Sequence, residues 1–266
     1  MSSIPLDMSE EVTEAKGNGQ PVLALDSSYL CAGPTPHSRI EALLQLEEHT
    51  RQEGTIPAIL GILDGRLKIG MSRNELEQLA AKSKLCPPVQ RRDLPILLAS
   101  GGSGVTAISA GMIMSHLAGI RVFSTGHLPH PQSQNHSNPG DWFELTRTEV
   151  AIVSTAQDEA PPPRTQFLEL ENRGVPVVTF RMSETQSAQI SSCQSCRVDS
   201  AETLARMMHS QWALGLGGGI LIVQAEQNKS SRNMISHDAL ATLHQAWESN
   251  VHLGTRIEAA YTALAG

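Results

Sequence analysis

The 266-residue sequence predicts an α/β protein with a mixed, largely parallel sheet and helices on both faces. Three observations carry that reading. Short apolar runs alternate with longer segments of helical period, the pattern of parallel strands joined by crossovers. One Asp-Gly turn, Asp64-Gly65, joins two apolar runs and supplies a single antiparallel hairpin. No internal repeat or linker divides the chain, so residues 21–266 are expected to form one domain.

The elements follow in order. Residues 1–20, MSSIPLDMSEEVTEAKGNGQ, are polar and acidic, lack the apolar stretch of a secretory signal, and read as a disordered tail. PVLALD (21–26) reads as a buried strand. Residues 36–53 place Ile40, Leu43, Leu44 and Leu46 on one helical face. AILGILDGRLKIG (58–70) is the hairpin, and Ser72-x-x-Glu75 behind it is a capping box opening the helix NELEQLAAKS. Residues 105–118 read as a buried helix. Segments 120–125, 149–155, 175–180 and 219–224 read as strands. Helices are expected at 164–174, stopped by Gly174, and at 200–215, capped by Ser200. Two helices, near 236–249 and 254–264, end the chain. The loop at 126–140 is the longest break, long enough to be functional.

Composition narrows the function. With 40% hydrophobic and 18% charged residues the chain is globular rather than disordered. Aromatics are only 3%, so the core must rest on aliphatic side chains. A net charge of −7 argues against a broad nucleic-acid footprint, which needs clustered Lys and Arg, but leaves room for a local cationic pocket. No apolar run approaches the roughly 18 residues of a membrane span. The expected partner is therefore a small molecule, with no nucleic acid and no membrane, in the cytoplasm. Cys193 and Cys196 form a C-x-x-C in a Ser- and Gln-rich loop; without further spaced ligands they read as incidental thiols, as do Cys31 and Cys86.

Several stretches, in order, resemble the pseudouridine-5′-phosphate glycosidase family: VLALDSSYLCAGPTP, IPAILGILDGRLKIGMSRNELEQLA, QRRDLPILLA, HLAGIRVFSTG, ELTRTEVAIVST, LELENRGVPVV, CRVDSAETLARMMHSQWALGL and GGGILIV. The match covers most of residues 20–225, and a shorter one continues to the C-terminus. The resemblance implies a glycosidase-like fold and a trimer. It also implies reversible cleavage of the C–C bond between uracil and ribose 5-phosphate, through an iminium formed by a lysine. A glutamate that moves protons and a divalent metal, usually manganese, complete the family site. The imine supplies the electron sink that C–C cleavage needs.

Carried over residue by residue, most of that apparatus is changed. The family glutamate of A-L-E-S-T falls on Asp26, one methylene shorter. A phosphate-contacting lysine falls on Pro88; Arg91 and Arg92 remain, as substrate contacts or as a surface ion-pair element beside Asp93. The phosphate-cradling Gly-Gly-Thr-Thr turn becomes Gly101-Gly102-Ser103-Gly104-Val105-Thr106, either an anion site before a helix or a tight loop. The metal-side aspartate matches Asp141, whose alternative is a helix N-cap. His127, His130 and His136 lie in the shortened, rewritten loop before it, as ligand contacts or as plain polar loop. The Schiff-base lysine falls, without a gap, on Asp158, with Glu159 beside it and a Pro run behind. G-L-K-G-G becomes Gly215-Leu216-Gly217-Gly218-Gly219, and the family's paired asparagines become Arg256 and Ile257.

A carboxylate cannot form an iminium. The sequence therefore reads as a repurposed family member, a lyase, isomerase or cyclase acting on a small metabolite. Its candidate acid–base groups are Asp26, Asp158 and Glu159, because crowded carboxylates push one pKa up. Two alternatives stand beside it: an active C-glycosidase with a substitute nucleophile, and a non-catalytic binding or assembly partner.

Overall fold

The computed structural model describes residues 4–31, 35–83, 88–126, 139–156, 164–191, 196–225 and 238–265. Residues 4–20 are not a loose tail. They form strand β1 (Leu6–Met8) and helix α1 (Glu10–Gly17), whose Ser9 cap accepts the Val12 N–H at 3.3 Å. Val12 and Ala15 are fully buried, and Asp7 bonds both Arg66 and Lys68. Acidic composition hid an amphipathic turn that the edge of the sheet needs as cover.

Strand β2 (Val22–Leu25) leads through a 3₁₀ turn (Ser28–Cys31) to α2 (Pro36–Gln52), capped by Thr35. The hairpin is β3 (Ile56–Leu63) and β4 (Arg66–Ile69). Asp64 and Gly65 both take positive φ, 50° and 73°, as the type I′ turn requires. Glu75 closes the capping box of α3 (Arg73–Ser83) by accepting the Ser72 N–H at 2.9 Å. Helix α4 (Leu94–Ser100) and strand β5 (Gly104–Val105) come next. The sequence pattern read 105–118 as helix throughout. Pairing of Gly104 and Val105 with β3 holds that stretch extended, and α5 runs only over Ile108–Leu117.

The remaining units are β6 (Val122–Ser124), α6 (Pro139–Leu145), β7 (Ala151–Ala156), α7 (Arg164–Asn172), β8 (Val177–Phe180), α8 (Glu184–Ile190), β9 (Arg197–Val198), α9 (Ala201–Ala213), β10 (Ile220–Ala225) and α10 (Asp238–Ala265). The two expected C-terminal helices are one. Gly254 does not break α10, because a Cβ there would sit 3.0 Å from Leu23 Cδ1; the missing side chain lets the helix lie close on β2.

The ten strands form one sheet in the order β1-β4-β3-β2-β6-β7-β10-β8-β9, with β5 on β3. Among the described residues only β3–β4 and β3–β5 are antiparallel. Each buried strand sends alternate residues to opposite faces. Ala24, Leu60, Ile152 and Leu221 join α1, α5, α6 and α7 on one face. Leu23, Leu25, Ile59, Val153 and Ile222 join α2, α3, α9 and α10 on the other. The expected mixed α/β sheet, covered on both faces, is the observed one. No helix among the described residues is long and apolar enough to cross a membrane.

One substitution tests how tightly α5 seats. A Cβ on Gly111 would meet the buried Phe123 ring at 2.4 Å. Gly111→Val should lower unfolding free energy by about 3 kcal/mol in urea titration. Gly17→Ala, with open space around the position, should change it by less than about 1 kcal/mol.

Candidate active site

Parallel strands place their carboxyl ends on one edge, and ligands of open α/β sheets bind where the strand order reverses. Here α2 carries the chain from β2 to β3 on one side, whereas α5 brings it back to β6 on the other. The reversal lies between β2 and β6. Their first residues beyond the ladder are Asp26 and Thr125.

Asp26 is 1% exposed. Its Oδ1 accepts the Ser28 N–H at 2.9 Å and the Thr106 hydroxyl at 2.8 Å. Its Oδ2 accepts the Ser28 hydroxyl at 2.7 Å and the Thr125 hydroxyl at 2.8 Å. Four donors meet the roughly four acceptor sites of a carboxylate. The Thr106 N–H donates to Ser27 Oγ at 3.0 Å, and the Ser27 N–H donates back to Thr106 Oγ1 at 3.2 Å.

The network continues through Asn250, which is fully buried on α10. Asn250 Nδ2 donates to the Thr125 carbonyl at 2.9 Å, while Oδ1 accepts from Thr155 Oγ1 at 2.8 Å and Gln224 Nε2 at 2.5 Å. One amide thus ties the ends of β6, β7 and β10. Sequence reasoning missed Thr125, Thr155, Gln224 and Asn250. The available signal was a repeated pattern, apolar strand runs each ending in Ser, Thr or Gln: FST, VST and IVQ. Asn250 carries no local signal.

The other candidates separate. Asp158, Glu159 and His130 lie outside the described residues, as do His127, His136 and Cys193. Arg91 Nη1 donates to the buried Glu144 carboxylate at 2.7 Å, and its N–H donates to Ser109 Oγ at 3.2 Å; Thr148 donates to the same Glu144. Arg92 is 74% exposed, 3.6 Å from Asp93, which is the surface ion-pair arrangement. Ser103 accepts the Asp64 N–H at 2.9 Å and so braces the hairpin turn. It stands three strand residues beyond Thr106, about 10 Å outward. The glycines around it fit tight contacts: a Cβ on Gly102 or Gly104 would reach Leu97 or Val89 at 2.3 Å.

Asp141 occupies the start of α5. Its Oδ1 accepts the Ser109 N–H at 2.8 Å, one of the orphan donors of that helix end. The place where a phosphate would bind a helix N-terminus is held by the protein's own carboxylate. Asp141 is therefore a helix cap, of α5 rather than of its own helix. Arg256 lies six residues past Asn250 on α10, about 9 Å along the axis, with Nη2 4.0 Å from Glu202. Ile257 is core.

Among the described residues no three of His, Cys, Asp and Glu converge as a metal site. Asp141, the expected metal-side group, spends one carboxylate oxygen on the Ser109 N–H, and the loop before it lies outside the described residues. The described lysines are also committed elsewhere: Lys16 to the Gly119 carbonyl, Lys68 to Asp7 and Glu75, Lys82 to Asp64.

Comparison with known proteins agrees with this layout. A family model described as indigoidine synthase A like protein matches residues 11–259. Pseudouridine-5′-phosphate glycosidase of Clostridium botulinum is 35% identical over 223 residues, covering 82% of this chain and 73% of the relative. The enzyme of that name from Escherichia coli is 31% identical over 250 residues, covering 91% and 78%. The crystal structure of the prealnumycin C-glycosynthase AlnA in complex with ribulose 5-phosphate superposes with a TM-score of 0.81 at 23% identity, covering 100% of this chain and 99% of that one. At that identity it speaks for the fold.

Two substitutions probe the network. Asp26→Asn turns an acceptor into a donor facing hydroxyl donors, and should cost about 2–3 kcal/mol in chemical denaturation. Asn250→Ala deletes three hydrogen bonds at the strand ends and should cost about 1–3 kcal/mol. Changes under about 0.5 kcal/mol in both would mean that the network does not hold the strand ends.

Proposed function

This chain belongs to the indigoidine synthase A like protein family, alongside the pseudouridine-5′-phosphate glycosidases, and on that footing we propose that it is an enzyme of altered chemistry. It binds a small hydroxylated metabolite at the carboxyl edge of the sheet. It transforms that metabolite by carboxylate acid–base catalysis of the lyase, isomerase or cyclase type, without an iminium. The observation that carries the reading is the buried polar array of Asp26, Thr106, Thr125, Thr155, Gln224 and Asn250. Apolar residues would stabilise those strand ends as well or better, since each buried polar group needs a partner to offset desolvation. Such an array at the reversal point of the strand order supports a ligand-binding role.

The residue roles follow from the same geometry. Asp26 is a positioning residue. Its acceptor sites are filled by Ser28, Thr106 and Thr125, whose hydroxyl oxygens it orients. Proton transfer is assigned to Asp158 and Glu159, two adjacent carboxyl groups in the segment following β7. In this assignment one carboxyl donates a proton while the other accepts one. Arg91 acts through Glu144, fixing α6 against α5. A homotrimer in the cytoplasm is part of the same proposal, by analogy with the family.

Identity of up to 37% over most of the chain favours a second reading, cleavage of pseudouridine 5′-phosphate to uracil and ribose 5-phosphate. That reaction needs an electron sink in place of the lysine imine, and neither Asp158 nor Glu159 can supply one.

Purified protein mixed with pseudouridine 5′-phosphate separates the two by uracil release. No turnover is expected, and release at a rate typical of enzymes, around 10 per second, would establish the second reading. A screen of hydroxylated metabolites should then yield an activity that falls at least 100-fold in Asp158→Ala. An activity indifferent to both Asp158→Ala and Glu159→Ala would overturn the carboxylate assignment.

A further inference from the structure

Helices α4, α5 and α6 border a cavity of about 380 Å³ that the carboxyl-edge site does not use. Leu94 and Pro95 of α4, with Ile113 and Leu117 of α5, give it apolar walls. A few polar groups interrupt them, chiefly Arg91 and Glu144. That size, and that mixture of apolar wall with fixed polar groups, are those of a small-molecule site. The cavity stands apart from the Asp26 array. Thr106, which bonds Asp26, precedes α5, whereas Leu117 ends that helix, about 14 Å along its axis from Ile108.

Glu144 lines the cavity, yet its side chain is only 1% exposed. Its Oε2 accepts Arg91 Nη1 at 2.7 Å, and its Oε1 accepts the Thr148 hydroxyl. A buried carboxylate paired in this way adds little stability over apolar packing of the same volume. What the pair does achieve is to fix one arginine. The Arg91 backbone is held as well, its N–H donating to Ser109 Oγ at 3.2 Å. Both Glu144 oxygens are engaged, so Arg91 is the group left to meet a ligand. Its guanidinium touches Glu144 through Nη1 and stays half exposed. The Nε–Nη2 edge has no partner among the described residues. The same edge is put to use elsewhere in the chain: Arg66 grips Asp7 with Nε at 2.6 Å and Nη2 at 2.5 Å. One cation between two carboxylates also recurs, since Lys68 bonds Asp7 at 2.9 Å and Glu75 at 3.0 Å.

We propose that this cavity binds a small monocarboxylate with an apolar body. The Nε–Nη2 edge of Arg91 takes the carboxylate side-on, and the carbon chain lies against Leu94, Pro95, Ile113 and Leu117. Each part of the ligand is selected by a different feature. A planar carboxylate matches the two parallel N–H groups of the arginine fork. A single negative charge suits a guanidinium already shared with Glu144, because a second charge would add repulsion from that carboxylate. An ammonium ligand would be repelled by the guanidinium and would find both Glu144 oxygens taken. The apolar walls reward a hydrocarbon chain by roughly 0.8 kcal/mol per buried methylene. This binding is separate from the reaction proposed at the carboxyl edge, and neither depends on the other.

The test is a methyl NMR titration of the full chain, ¹³C-labelled at Ile, Leu and Val methyls, with hexanoate as the probe. Saturable shifts are expected at Leu94, Ile113 and Leu117, with a dissociation constant on the order of 1 mM. Acetate lacks the apolar body and should bind at least 10-fold more weakly. Hexylamine should not bind, and pentyl phosphate should bind no tighter than hexanoate. Arg91→Lys keeps a charge beside Glu144 but removes the fork, and should weaken hexanoate about 10-fold. Leu117→Glu, at an exposed position, leaves the Arg91–Glu144 pair in place and puts a competing carboxylate in the wall. It should weaken hexanoate by a similar factor, and it decides the matter if Arg91→Lys does not fold. The proposal is overturned by the absence of saturable shifts up to about 50 mM hexanoate, or by affinity unchanged in the folded variants. Acetate or hexylamine binding as well as hexanoate, or pentyl phosphate binding tighter, would overturn it too. So would shifts centred on Leu25 and Val223, which adjoin Asp26 and Gln224 at the carboxyl edge.

Discussion

The Asp26 carboxylate is the constraint on which the site depends. A buried carboxylate is costly unless its acceptors are filled. Here the donors come from three places in the chain: Ser28 just past β2, Thr106 just past β5 and Thr125 just past β6. Only Ser28 is near Asp26 in sequence. The charge can be buried only when β2, β5 and β6 have assembled in register, so satisfying it fixes where those strands end.

Helix α10 extends that constraint across the sheet. At 28 residues it is about 42 Å long. Asn250 gathers the ends of β6, β7 and β10 on the ligand edge, and Glu258 lies buried further along the helix, its Oε2 without a hydrogen-bond partner among the described residues. Gly254 between them allows the helix to lie directly on Leu23 of β2. One rigid element thus carries a satisfied polar group at one level and an unsatisfied one at another.

Several of the residues expected to contact substrate bond neighbouring parts of the protein. Asp141 sits where an anion would meet the start of α5. The glycine turn is packed against Leu97 and Val89, and its serine braces the hairpin. Arg91 is held by Glu144.

Local chemistry made much of the fold legible. The strands at 22–25, 56–63 and 220–225, the Asp64-Gly65 turn and the Ser72–Glu75 box follow from hydrophobic run length, positive φ and capping, which are properties of neighbouring residues. The sequence alone also carries the reading that Asp158 stands where the family has its imine lysine, a position outside the described residues. Tertiary structure decided what depends on distant partners. Residues 6–17 became strand and helix because β4 and the core accept them. Gly254 continued a helix instead of ending it, because Leu23 lies beneath it. Asn250 entered the site while Arg256 left it, because helix phase and the position of three strand ends choose which side chain faces inward. A polar network is a property of where chains meet, and no window of sequence contains it.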